Sequence, residues 1–246
     1  MTLDLKNRDF VFDNLDKLPP QEKEKLDNDF LARYLVDSTT MEKKVSFTLE
    51  EAYDLIENGI FSLRNKASSH DVIQVVNQKK AYDYMLAKTR ENDTFLTEDL
   101  IKSFHEIIMD GILAGGVYRN VDIRVHGSKH VPTNYIRVYE KMENLIVEIE
   151  EYKNDPVYLA TYVNARLDKI HPFLDGNGRC SRLVVNYILI KNNYLPISID
   201  ESYKRRYFDA LEEYKINRNL NDLHSLFIEL ENNELEKYAT AIRRYI

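Results

Sequence analysis

His171-Pro172-Phe173-Leu174-Asp175-Gly176-Asn177-Gly178-Arg179-Cys180-Ser181-Arg182 packs a base, a hard carboxylate, two glycines and two arginines into one short stretch. Upstream, Val163, Leu167 and Ile170 recur at helical spacing, so the histidine ends an apolar-faced helix. Downstream, Leu183, Val184, Tyr187 and Ile188 mark a second buried helix that opens near Gly178 or Arg179. Gly176-Asn177-Gly178 between them allows positive φ, which turns amide N–H groups inward. Inward N–H groups at a helix start, with the positive end of the dipole, make an anion site. Arg179 and Arg182 lie three apart on the first turn, so both guanidinium groups reach one polyphosphate. Asp175 is a hard oxygen ligand suited to Mg²⁺ or Mn²⁺, shared with substrate phosphates. His171 is the nearby group able to take a hydroxyl proton at neutral pH. Base, carboxylate, glycine turn and arginines together are what phosphate chemistry on a nucleotide requires.

The stretch resembles the signature of the Fic domain family, His-x-Phe-x-Asp/Glu-Gly-Asn-Gly-Arg-x-x-Arg, with every specified position matched. The resemblance implies an all-α, Fic-type helical bundle with a short β-hairpin flap over the active site. It implies a protein adenylyltransferase: ATP lies along the glycine turn, with His171 as catalytic base and Asp175 as metal ligand. Gly176, Asn177, Gly178, Arg179 and Arg182 hold the nucleotide; Tyr207, at helical spacing with Tyr203, Phe208 and Leu211, reads as core packing, and the resemblance offers it a competing place on the adenine or ribose side. The acceptor is a Ser, Thr or Tyr hydroxyl of a protein, with self-modification expected. Alternatives are another phosphate-containing donor in the same cradle, removal of AMP from targets, and a non-catalytic binding module of the same fold. A metal-dependent nuclease or phosphatase is a further class, but it needs several converging ligands and the sequence offers Asp175 alone.

Gly115 to Arg137 departs from the helical pattern around it. Two glycines precede Val121-Asp122-Ile123-Arg124-Val125, and Gly127 precedes Val131-Pro132-Thr133-Asn134-Tyr135, a reading of two short strands about a turn. Gly116-Val117-Tyr118-Arg119 matches the element that precedes the family's flap. The resemblance implies that Val125, His126, Gly127, Ser128, Lys129 and His130 form this flap and hold a target segment by backbone pairing. The family also carries an inhibitory helix with Ser/Thr-x-x-x-Glu followed by Gly or Asn, whose glutamate pairs with the second signature arginine. Ser38-Thr39-Thr40-Met41-Glu42 has that spacing, although Lys43 stands where Gly or Asn is expected. Ser225 to Glu229 has the same spacing, but Leu230 follows and its surroundings read as core.

The 246 residues carry a net charge of -7, which argues against nucleic acid as a partner. Sparse Gly and Pro, with 7 and 6 residues, fit a mostly helical chain. The single cysteine, Cys180, sits at an unspecified signature position and excludes an internal disulfide. No apolar run reaches membrane-spanning length and no signal-peptide core opens the chain, so the expected address is cytoplasmic, with a secreted effector as the alternative. Many tyrosines allow a homo-oligomer. Thr48-Leu49-Glu50-Glu51 reads as a capping box opening a helix that stops at Asn58-Gly59. Helices are also expected from Ser68-Ser69 to about Lys88 and from Thr97 to Gly111. The organisation read from these segments is an N-terminal helical extension over 1–36, a core over 37–230 and a C-terminal helical end over 231–246.

Overall fold

The computed structural model describes residues 2–41, 47–63, 69–92 and 95–246. Among them are helices α1 (Leu5–Asn14), α2 (Pro20–Thr40), α3 (Leu49–Asn58), α4 (Ser69–Thr89), α5 (Glu98–Met109), α6 (Val138–Glu151), α7 (Pro156–Ile170), α8 (Asn177–Lys191), α9 (Lys204–Asn217) and α10 (Asn221–Ile242). The architecture is all-α.

Local chemistry sets the boundaries. Pro20 opens α2 and Pro156 opens α7, at the position where a missing N–H leaves nothing unsatisfied. The Thr48–Glu51 capping box forms as expected, and α3 ends at Gly59 in the left-handed region. Thr97 caps α5 by accepting from the Leu100 amide.

The signature straddles the pair α7 and α8, and α8 is buried along almost its whole length. Ile101, Phe104 and Ile108 of α5, Val163 and Leu167 of α7, and Leu183, Val184 and Tyr187 of α8 share the main core. A second, smaller core joins Val11 of α1 and Leu18 to Leu235, Tyr238, Ala239 and Ile242 of α10. The N-terminal helix is thus fastened to the C-terminal one. Asn7 Nδ2 reinforces that junction by donating to Glu236 at 2.9 Å. α2 runs unbroken across residues 36 and 37, and α10 across residues 230 and 231.

One expectation fails. Residues 115–137 form no β-hairpin; apart from a 3₁₀ turn over Tyr135–Arg137 they are irregular. Side chains have taken the groups a ladder would use. Arg119 donates to the carbonyls of Val121 and Thr133, while Asp122 accepts from the Tyr135 amide at 2.9 Å and from Asn134 Nδ2 at 2.8 Å. The two limbs are held by polar side chains instead of by each other's backbone.

Candidate active site

His171 is the residue where α7 stops. Its backbone is left-handed at φ 51°, and its N–H closes the helix on Leu167 O at 2.8 Å. A non-glycine residue in that region is strained unless its surroundings hold it there. Arg119 supplies the hold. Its side chain is buried, and its Nε donates to His171 O at 2.8 Å while Nη2 reaches Ile170 O at 3.4 Å. The Arg119 amide in turn donates to Pro172 O at 2.9 Å. One guanidinium therefore pins the helix end at His171 and both limbs of the flap. On the ring, Nδ1 lies 3.4 Å from Asp168 O. A carbonyl only accepts, so the neutral ring carries its proton on Nδ1 and Nε2 holds the basic lone pair.

The loop after His171 is closed by Asn177. Its Oδ1 accepts from the Phe173 amide and its Nδ2 donates to Phe173 O, both at 2.9 Å. The Asn177 side chain is thereby committed to the loop's shape, and its contribution to an anion falls to its backbone. Gly176 adopts φ 74° as the helix N-cap, whereas Gly178 is helical, so α8 opens at Asn177, earlier than the spacing suggested. A Cβ on Gly176 would lie 2.7 Å from Met109 Sδ and 3.2 Å from His105 Nε2. No side chain caps α8, the arrangement an anion-binding helix start needs. Its basic residues sit on the first two turns. Arg179 is buried beside Met109, with Nη2 3.6 Å from the sulfur. Arg182 is buried too, and its Nη2 donates to Ser38 O at 2.9 Å, at the C-terminal end of α2. Cations favour that end of a helix dipole.

Asp175 stands half-buried at the mouth of the loop, with Oδ1 accepting from the Gly176 amide at 2.7 Å. A single hard carboxylate beside an uncapped helix start fits Mg²⁺ or Mn²⁺ that completes its shell with phosphate oxygens and water. Cys180 is inert: buried, 3.7 Å from Ile101 O, and with its thiol pushed up to about 12 by desolvation.

Tyr207 is 1% exposed, so its ring lies in the core behind the arginines. Its hydroxyl donates to Asn164 Oδ1 at 3.1 Å, Asn164 Nδ2 donates to Ser181 Oγ at 3.2 Å, and Ser181 Oγ donates to Gly178 O at 3.0 Å. This chain ties α9 and α7 to the first turn of α8. Ser38 is buried on α2, whereas Glu42 lies outside the described residues. Glu229, in the second spacing match, accepts from Tyr203 at 2.8 Å and Arg206 at 2.5 Å, at the start of α9. In the flap, His126 is exposed and His130 is half-buried, with Nε2 3.3 Å from Lys169 O.

Sequence reasoning missed His105. It is 2% exposed and stacks on Phe173 with ring centroids 3.6 Å apart and planes 4° from parallel. Nδ1 accepts from the Gly116 amide at 3.0 Å, and Nε2 donates to Asp175 O at 2.8 Å. An amide can only donate, so the tautomer is fixed, and burial pushes the ring's pKa down to about 4. His105 joins the start of the flap to the metal-type residue. The legible signal was a lone polar residue on the apolar stripe Ile101, Phe104, Ile108.

Residues 95–189 match the family model described as Fic/DOC family. A protein adenylyltransferase Fic from Culex quinquefasciatus is 26% identical over 144 residues, which cover 56% of this chain and 28% of that protein. The chain thus spans less than a third of the length of this curated relative. Among solved structures, a Fic domain containing signaling protein from Bacteroides thetaiotaomicron superposes with a TM-score of 0.83 at 21% identity, covering 98% of each chain. Fic-1 from C. elegans gives a TM-score of 0.81 at 16% identity, covering 98% of this chain and 74% of that one. At these identities the structural likeness establishes the fold.

Proposed function

From the match of residues 95–189 to the Fic/DOC family model we propose that the protein is an adenylyltransferase moving AMP from ATP to a hydroxyl of a protein target. The observation that carries this reading is the join at His171: a base on a fixed helix end, one short loop away from an uncapped helix start with two buried arginines. ATP phosphates bind along the first turn of α8. Nε2 of His171 takes the proton of a Ser, Thr or Tyr hydroxyl, and that oxygen attacks the α-phosphorus. The bond to the bridging oxygen breaks and pyrophosphate leaves toward Arg179 and Arg182, whose charges offset the negative charge that develops. Asp175 would hold the Mg²⁺ or Mn²⁺, which neutralises phosphate charge when bound. Val125 to His130 present the target segment, and Tyr207 backs the pocket through Asn164 and the α8 first turn.

Restraint by Glu42 belongs to the same reading. Its support is the position of α2, whose last turn already engages Arg182 through Ser38 O. The resemblance assigns to Glu42 the pairing with this guanidinium, which would deny it to the γ-phosphate. Glu42→Gly should therefore raise transfer at subsaturating ATP, and Glu229→Gly should leave it unchanged. The test of the activity itself uses two labels. Label on the α-phosphate of ATP should appear on protein and label on the γ-phosphate should not; the reverse pattern makes the enzyme a phosphotransferase.

A further inference from the structure

The flap lacks the ladder that would hold a hairpin, so its tip depends on what grips it from outside. Gly127, at φ 79°, turns the chain, and the Ser128 amide closes the turn on Val125 O at 3.2 Å. The residues after it converge on one carboxylate of α9. Ser128 Oγ donates to Glu212 Oε2 at 2.7 Å. The amides of Lys129 and His130 donate to Glu212 Oε1 at 2.7 and 3.2 Å. Burial pushes the Glu212 carboxyl up, yet these donors and the Lys215 ammonium outweigh it and hold it below the usual carboxylate range.

Glu212 is wired onward to the base. Lys215 Nζ lies 3.7 Å from Glu212 and 2.6 Å from Asp168, with the lysine and aspartate side chains 7% and 13% exposed. Asp168 is the residue whose carbonyl faces His171 Nδ1. A second strap runs in parallel: His130 Nε2 meets Lys169 O, and Lys169 Nζ donates to Lys215 O at 2.6 Å. The flap tip and the helix end bearing the base are thus held in one polar network.

We propose that Glu212 is the positioning residue of the flap: its carboxylate fixes the 128–130 turn as a preformed ledge, in register with His171, against which the target segment is laid. The proposal rests on the reading of the flap as the target-holding element. It assigns to the Glu212 carboxylate a part in target affinity and none in ATP affinity. A preformed ledge spares the target the ordering of that loop on binding.

The experiment compares wild type, Glu212→Ala, Glu212→Gln and Ser128→Ala by steady-state transfer to a protein acceptor and by amide hydrogen exchange over residues 127–131. Glu212→Ala should raise the acceptor KM about tenfold, the scale expected when hydrogen bonds to a charged acceptor are lost. Its ATP KM should stay within about twofold of wild type, and the Lys129 and His130 amides should exchange faster. Glu212→Gln keeps an oxygen for both amides and should stay close to wild type; Ser128→Ala should fall between. Wild-type acceptor KM together with wild-type exchange in Glu212→Ala overturns the proposal. So does a parallel rise in both KM values, which marks a general loss of structure. A wild type that transfers no AMP refutes adenylyl transfer instead, and the clamp is then decided by exchange: faster at Lys129 and His130 in Glu212→Ala supports it, unchanged exchange overturns it.

Discussion

The nucleotide loop and the flap lie on either side of the same helix end and are built on opposite principles. The loop over 171–182 is stiffened from within. Asn177 closes it on Phe173, Gly176 fits against Met109 and His105, and its arginines are buried. The flap over 120–134 has little of its own. Arg119 holds its base, Asp122 ties its limbs, and Glu212 grips its tip. The difference suits the proposed chemistry. Phosphate positioning tolerates little play, whereas a surface that receives a protein segment by its backbone needs only a ledge at the right height.

The largest expected effect falls on the loop. His171→Ala should lower transfer about 10²–10⁴-fold, the value of a positioned base, while ATP affinity stays at the wild-type level. Unchanged kcat in that variant would remove the base assignment. Asp175→Ala should abolish metal-dependent transfer, and excess Mn²⁺ should restore little of it in a titration against wild type.

If the loop is wired into the core, damage to its supports should also show as lost stability. His105→Leu removes the ring nitrogens that hold the part-buried Gly116 N–H and Asp175 C=O, at about 1–3 kcal/mol in all. The urea midpoint should fall accordingly, and a midpoint equal to wild type would detach the loop from the fold. Asp122→Ala, on the exposed flap, should leave the unfolding free energy within about 0.5 kcal/mol of wild type and change only the acceptor KM.

Two further effects are those of pH. The folded-state value of His105 lies below its unfolded one, so the folded chain binds fewer protons between about 6.5 and about 4 and stability falls as pH drops through that window. Glu231 runs the other way. Fully buried, with Oε1 accepting from Leu195 N at 2.9 Å, its carboxyl is pushed up to about 8, mainly by desolvation. Its contribution is complete below about 4.5 and is lost as pH rises toward about 8. Glu231→Gln keeps the acceptor and should flatten that upper limb of a stability–pH curve.

The loop was legible in the sequence because its determinants are close together. A positive-φ glycine, an amide side chain four residues from its partner and two arginines on one turn are all short-range features. The capping box at Thr48 was legible for the same reason. The flap was misread as a hairpin because its alternating apolar residues carry the strand pattern, while the side chains that displace the ladder act from elsewhere. Arg119 reaches His171 and Ile170, and Glu212 reaches Lys129 from far along the chain. His105 was overlooked because a histidine beside an apolar stripe announces burial without naming its partners. Tyr207 was legible as a core residue from its helical spacing with Tyr203 and Leu211, and the resemblance alone gave it a nucleotide-side role.

The central claim is that base and cradle act together to move AMP. Intact-mass measurement of a protein acceptor incubated with ATP and Mg²⁺, using wild type and His171→Ala side by side, tests it most directly. The account predicts one adenylyl mass per modified hydroxyl with wild type, and none with His171→Ala although that variant still binds ATP. Adenylyl mass appearing equally with both enzymes, or a phosphate mass in its place, would contradict it.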